Sequence, residues 1–157
     1  MEKKFYLTPK GLEKVKREYK DLLELRASKT KGEAPRIWQS EDVNPEYLSF
    51  QEDMGFLEAR IAELEDILKN IELIKAPQKD KRNIIDYGAT VTLEESSGHL
   101  NEFMVVGTLE ANPYEGKISS ESPVGKALLG RKVGDEIMIT SPIKVVYRVK
   151  KIKYQIS

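Results

Sequence analysis

The chain has 157 residues, 33% of them charged and 39% apolar, and its 26 Lys/Arg balance its 26 Asp/Glu. The absence of cysteine excludes disulfides and thiolate metal sites, and a single histidine, His99 in a Gly-His turn, excludes chemistry that needs two imidazoles. No apolar run approaches membrane-spanning length, and nothing hydrophobic follows Met1-Glu2-Lys3-Lys4, so a cytoplasmic protein with no secretory signal and no membrane partner is expected.

Phe5-Tyr6-Leu7 leads into Thr8-Pro9, a cap residue followed by proline at a first helical position, with Leu7 placed to staple onto the first turn. Leu12, Val15, Tyr19, Leu22 and Arg26 then recur at steps of three and four, which predicts a helix over about Pro9 to Lys31. Gly32 suits its end, and Pro35 does not fit inside a helix. Residues 32–44 therefore form a tip. Its apolar Ile37 and Trp38 either fold back on Tyr47 and Phe50 or offer Trp38 to a partner.

Asn44-Pro45 repeats the cap-then-proline device. Tyr47, Phe50, Met54, Leu57, Ile61, Leu64, Leu68 and Ile71 hold a heptad seam for more than three heptads. A helix from Pro45 to about Ile74 would be roughly 45 Å long at about 1.5 Å per residue, more than a small domain needs, and suggests a protruding arm. Residues 1–31 carry ten Lys/Arg against five Asp/Glu, whereas residues 41–72 carry ten Asp/Glu against Arg60 and Lys69. Opposite charges and a short link favour an antiparallel helical hairpin, which satisfies its seam within one chain and predicts a monomer.

A polar linker follows over Lys75 to Arg82, and then β signals: Ile84-Ile85, Ala89 to Leu93, Phe103 to Val106, Lys117 to Ser119, Glu136 to Ile139 and about Lys144 to Lys153. Ser122-Pro123 opens a short helix over Val124–Leu129 that ends at Gly130. The expected fold is α+β: a coiled-coil hairpin over residues 1–76, and an antiparallel sheet domain with a short helix over residues 77–157.

No nucleophile–base pair or phosphate loop is legible. Lys14, Arg17 and Lys20 could meet nucleic acid, but no base-reading motif accompanies them. The informative group is Glu41-Asp42 with Glu46 nearby. Acidic residues before a helix complement its dipole; at the end of an arm they can also complete a Mg²⁺ site whose other oxygens come from elsewhere.

Tyr6-Leu7-Thr8-Pro9-Lys10-Gly11-Leu12, Glu46-Tyr47, Gly55-Phe56-Leu57-Glu58-Ala59-Arg60-Ile61 and the run from Ser122 to Asp135 together resemble the bacterial GreA/GreB transcription elongation factors. The resemblance implies an FKBP-like C-terminal domain that docks at the rim of the RNA polymerase secondary channel, here through Ser122, Pro123, Gly125, Lys126, Gly134 and Asp135. It implies that the coiled coil enters the channel. The factor is then an accessory protein with no cofactor of its own: acidic tip residues help the polymerase hold a shared Mg²⁺ and cleave the RNA 3′ end.

The tip departs from the family pattern. Counted back from Glu46-Tyr47, Asn44 matches, but the two acidic places fall on Ser40 and Val43; counted forward from Leu7-Thr8, Asp42 takes the Asp place. Glu41 and Asp42 are therefore candidates by chemistry for the metal-assisting pair, with Trp38, Ser40, Asn44, Glu46 and Tyr47 as tip contacts. A regulator that occupies the channel without promoting cleavage fits the same residues. Two other classes stay open: a prolyl isomerase with a coiled-coil handle, which needs a pocket lined by aromatics such as Tyr87, Phe103, Tyr114, Tyr147 and Tyr154, and a coiled-coil adaptor.

Overall fold

The computed structural model describes residues 3–31, 45–140 and 143–156. They form β1 (Phe5–Leu7), α1 (Pro9–Lys31), α2 (Pro45–Lys69), β2 (Ile71–Leu73), β3 (Ala89–Glu95), β4 (Leu100–Val106), β5 (Lys117–Ser119), α3 (Pro123–Leu128), β6 (Glu136–Ile139) and β7 (Val145–Tyr154). Short 3₁₀ turns lie at Lys79–Lys81, Thr108–Glu110 and Pro113–Glu115. The chain divides into two compact units, one of Met1–Leu12 with Ile71–Ser157 and one of Glu13–Asn70.

The helical unit is an antiparallel hairpin. Tyr19 meets Glu65, Arg26 meets Glu58 and Lys29 meets Asp53, so partners descend α2 as the chain climbs α1. On α2, Leu57, Ile61, Leu64 and Ile67 are buried, with Tyr47, Phe50 and Met54 half-buried along the same seam. The facing Val15, Tyr19, Leu22 and Arg26 of α1 are also half-buried. Each fully buried aliphatic side chain contributes about 1.5–3 kcal/mol, against about 0.2–1 kcal/mol for an exposed ion pair. The apolar seam therefore holds the hairpin, and the charges select its pairing.

The second helix ends earlier than its heptad pattern predicts. Asn70 N–H bonds the Ile67 carbonyl at 3.1 Å, and its side-chain amide donates back to the Asp66 carbonyl at 3.0 Å. Ile71-Glu72-Leu73 then leaves the helix as β2 and pairs in parallel with β1, Phe5 opposite Ile71 and Leu7 opposite Leu73. A heptad position thus became a strand residue, because β1 offered a ladder that a helical Ile71 could not join.

In the sheet-bearing unit five strands run in the order β5-β4-β3-β7-β6. All neighbours are antiparallel except β4 and β5, so the sheet is mixed, with one parallel edge. Ala89, Val91 and Leu93 alternate into a core with Val105, Leu128, Ile137, Ile139 and Val149. Ile84 and Ile85 do not form a strand. Ile84 makes one isolated bridge to Lys132, and Ile85 exchanges backbone bonds with Gly130 and Arg131. The half-buried Tyr154 holds this segment: its hydroxyl donates to the Ile84 carbonyl at 2.6 Å and accepts from Asp86 N–H at 2.9 Å. Burial raises the Tyr154 hydroxyl pKa above its ordinary value, which keeps it a donor.

The start of α1 is fixed within this unit. Thr8 Oγ1 accepts from Gly11 N–H at 3.1 Å, the expected cap. A second acceptor comes from far along the chain: the Glu110 carboxylate takes Thr8 N–H at 2.9 Å and the Thr8 hydroxyl at 2.5 Å. Gly11 leaves room for that carboxylate, which a β-carbon there would push aside. Glu110→Ala leaves the buried Thr8 donors without this partner and is expected to lower stability by about 1–3 kcal/mol in urea unfolding, with Glu110→Gln recovering part of the loss.

Candidate functional site

The expected site residues fall in two places. Trp38, Ser40, Glu41, Asp42 and Asn44 lie outside the described residues, in the thirteen-residue link between Lys31 and Pro45. Its two flanking helix ends are described. Lys29 and Lys31 stand in the last turn of α1 and Glu46 in the first turn of α2, each with the sign that complements its helix dipole. Glu46 is exposed; Tyr47 is half-buried, and its hydroxyl accepts from the Gln51 side-chain amide at 3.0 Å. Among the described residues no group of three or more His, Asp or Glu is placed to hold a metal ion.

The hairpin behind this link is pinned by Arg60. Its guanidinium grips both Glu18 oxygens, at 2.8 and 3.0 Å, and also reaches Glu63 at 3.0 Å. These hydrogen bonds, first to Glu18 and then to Glu63, raise its pKa further. A bidentate arginine fixes axial register better than a single contact does. In the stretch 55–61, Leu57 and Ile61 fill the seam, Glu58 pairs with Arg26 and Arg60 with Glu18. Gly55, Phe56 and Ala59 face away, with Phe56 76% exposed. The sequence signal for Phe56 was its place off the heptad seam.

The six docking candidates sort by their work in the fold. Ser122 caps α3: its hydroxyl accepts from Gly125 N–H at 3.1 Å and donates to the Ser119 carbonyl at 2.6 Å. Gly125 is buried, and a β-carbon there would collide with that same carbonyl. Gly134 sits at φ +94°, a left-handed conformation suited to glycine, and its N–H bonds the Val149 carbonyl at 2.8 Å. The Asp135 carboxylate closes the turn by accepting Lys132 N–H at 2.8 Å. Only Pro123 and Lys126 are exposed side chains of α3 that these turns leave uncommitted.

Of the aromatics that an isomerase pocket would use, Tyr87 alone lines the apolar hollow of about 360 Å³ bounded by Pro77, Ile84, Ile85 and Leu129. Phe103, Tyr147 and Tyr154 pack against the core, and Tyr114 is fully exposed.

Comparison with known proteins decides the family. The family model described as transcription elongation factor, N-terminal, matches residues 5–73, and that described as transcription elongation factor, GreA/GreB, C-term, matches residues 79–154. The transcription elongation factor GreA of Thermomicrobium roseum is 37% identical over 138 residues, 87% of this chain and 88% of that protein. The chain belongs to the GreA/GreB transcription elongation factor family. A GreA of Mycoplasma genitalium is 39% identical over 158 residues, 96% of this chain and 95% of that protein. Among solved structures, the GreA factor homolog 1 (Gfh1) protein of Thermus thermophilus aligns over 96% of this chain and 99% of its own, at 31% identity and a TM-score of 0.43.

The Gre fold thus fixes Ser122, Gly125, Gly134 and Asp135 structurally whatever else they meet. Ser122→Ala is expected to cost about 1 kcal/mol in thermal or chemical unfolding, whereas Lys126→Ala stays within about 0.5 kcal/mol, as for an exposed side chain with no fixed partner.

Proposed function

We propose that this Gre-family elongation factor binds RNA polymerase through its secondary channel and modulates elongation in the cytoplasm as a monomer. The helical hairpin enters the channel, and the sheet-bearing unit docks at the rim, with Pro123 and Lys126 as its free contact side chains. What supports this reading is the position of Glu41-Asp42 in the sequence, between the two helices of a hairpin, in a chain that matches the family in both halves.

The donor chemistry of that pair suits Mg²⁺, which takes hard oxygens and retains several of its waters. Two carboxylates supply only part of an octahedral shell, so the remaining oxygens come from the polymerase and the RNA. A second ion at the polymerase centre would stabilise charge on the attacking and leaving oxygens as the RNA 3′ end is cleaved. Glu41 and Asp42 contribute negative charge and orientation; the bond is broken by the polymerase, and the factor is not itself the enzyme.

A second reading rests on a specific observation. Counted back from Glu46-Tyr47, the family's acidic places hold Ser40 and Val43. A factor without carboxylates in register occupies the channel and regulates without promoting cleavage.

A backtracked elongation complex separates the two. With the wild-type chain and Mg²⁺, release of short 3′ RNA fragments is expected, and the Glu41→Ala/Asp42→Ala double variant is expected to lose on the order of 100-fold in that rate, the scale for removing groups that stabilise developing charge. Cleavage that continues unchanged in the double variant ends the metal-holding role. Binding and slowed elongation without cleavage by the wild type establishes the second reading.

A further inference from the structure

At about 100° per residue, Leu48, Glu52, Gly55, Phe56, Ala59 and Asp66 fall within one arc of α2, roughly opposite the buried Leu57, Ile61 and Leu64. All six are exposed, Leu48 at 45% and Phe56 at 76%. Two features of this arc work against the free helix. A glycine inside an exposed helix weakens it relative to alanine, and a β-carbon on Gly55 would meet nothing within 4 Å, so no packing within the hairpin demands it. An almost fully exposed phenylalanine likewise gains little from the fold. Each makes sense if another surface comes close there: the glycine lets a backbone approach, and the ring is the anchor.

We propose that this outer face of α2, centred on Gly55 and Phe56, is a protein-docking surface whose occupant is a basic wall of RNA polymerase with an apolar pocket for the Phe56 ring. The inference rests on the polymerase-binding reading given above. Charge selects the occupant. From Pro45 to Lys69 the helix carries seven Asp/Glu against two Lys/Arg. Asp53 and Glu58 pair with cations of α1, and Glu63, which also lies on this arc, pairs with Arg60 of its own helix, whereas Glu52 and Asp66 on the same arc have no cation within ion-pair distance among the described residues. A phosphate backbone would be repelled by that field. A second copy placed face to face would set the same carboxylates against each other.

The test measures affinity of the full chain for RNA polymerase core enzyme by competition against a labelled wild-type chain, alongside thermal unfolding and light scattering. Phe56→Ala is expected to weaken binding by about tenfold or more, the loss typical of a central aromatic anchor, with unchanged melting temperature. Gly55→Ala is expected to raise the melting temperature and yet weaken binding, a split that a purely structural role would not produce. Glu52→Lys is expected to weaken binding most at low salt, and it decides the matter if Phe56→Ala proves unstable. If the wild type binds polymerase and all three variants bind as well as it does, this inference fails while the polymerase reading stands. If the wild type does not bind, both fall. A wild-type dimer that Phe56→Ala makes monomeric would reassign the face to a second copy.

Discussion

The parallel ladder between β1 and β2 is the constraint on which the rest depends. Residues 13–70 form a unit of their own, inserted between two segments of the other unit. Both segments must therefore be held where the inserted chain leaves and returns. Three-residue strands pair Phe5-Tyr6-Leu7 with Ile71-Glu72-Leu73, and the ladder extends through Ile74 N–H to the Leu7 carbonyl at 2.7 Å. So short a ladder is weak alone. It is reinforced by the burial of Leu7 at 1% exposure and by the stacking of Tyr6 on Tyr87, ring centres 4.1 Å apart. Closure of a long insertion costs only slowly more as its length grows, so the hairpin can be long without loosening the clip.

Within the hairpin a different balance rules. Apolar burial along one narrow stripe supplies most of the cohesion, and the acid–base pairs between α1 and α2 choose antiparallel pairing and axial register. This division of labour leaves the outer arc of α2 free of structural duty. A helix so arranged can carry residues that its own stability does not favour, because the seam on the opposite side compensates. Exposed Gly55 and Phe56 belong to that class, where local rules are broken away from the core.

The sheet-bearing unit shows the converse. Four residues of the expected docking motif, Ser122, Gly125, Gly134 and Asp135, also serve the caps and turns of the fold. Ser122 and Gly125 share one carbonyl, that of Ser119, and the turn at Gly134-Asp135 is tied back to Val149 on β7. Such side chains can position a docking face without touching a partner. That leaves Pro123 and Lys126 as the projecting groups of α3, and it explains how a sequence motif can report architecture as much as function.

Local periodicity determined much of this protein in advance. The 3-4 spacing of Leu12 to Arg26 and of Tyr47 to Leu68, with the Thr8 cap before the first helix and Pro45 opening the second, defined both helices and their pairing, because a heptad stripe and a helix start are written in neighbouring residues. The strands from Ala89 and from Lys144, and the Ser122 cap, were legible for the same reason. Only the tertiary structure decided the rest. Ile71 left its heptad because β1 lay ready to pair with it. Ile84-Ile85 became a tethered segment under Tyr154, and Thr8 gained a second partner in Glu110, 102 residues away. Phe56 entered the sequence reading only as part of the Gly55–Ile61 motif, and its exposure followed only when α1 was seen to cover the other side of the helix. Each of these outcomes depends on which distant groups compete for the same backbone bonds and the same apolar cover, and no local pattern encodes that competition.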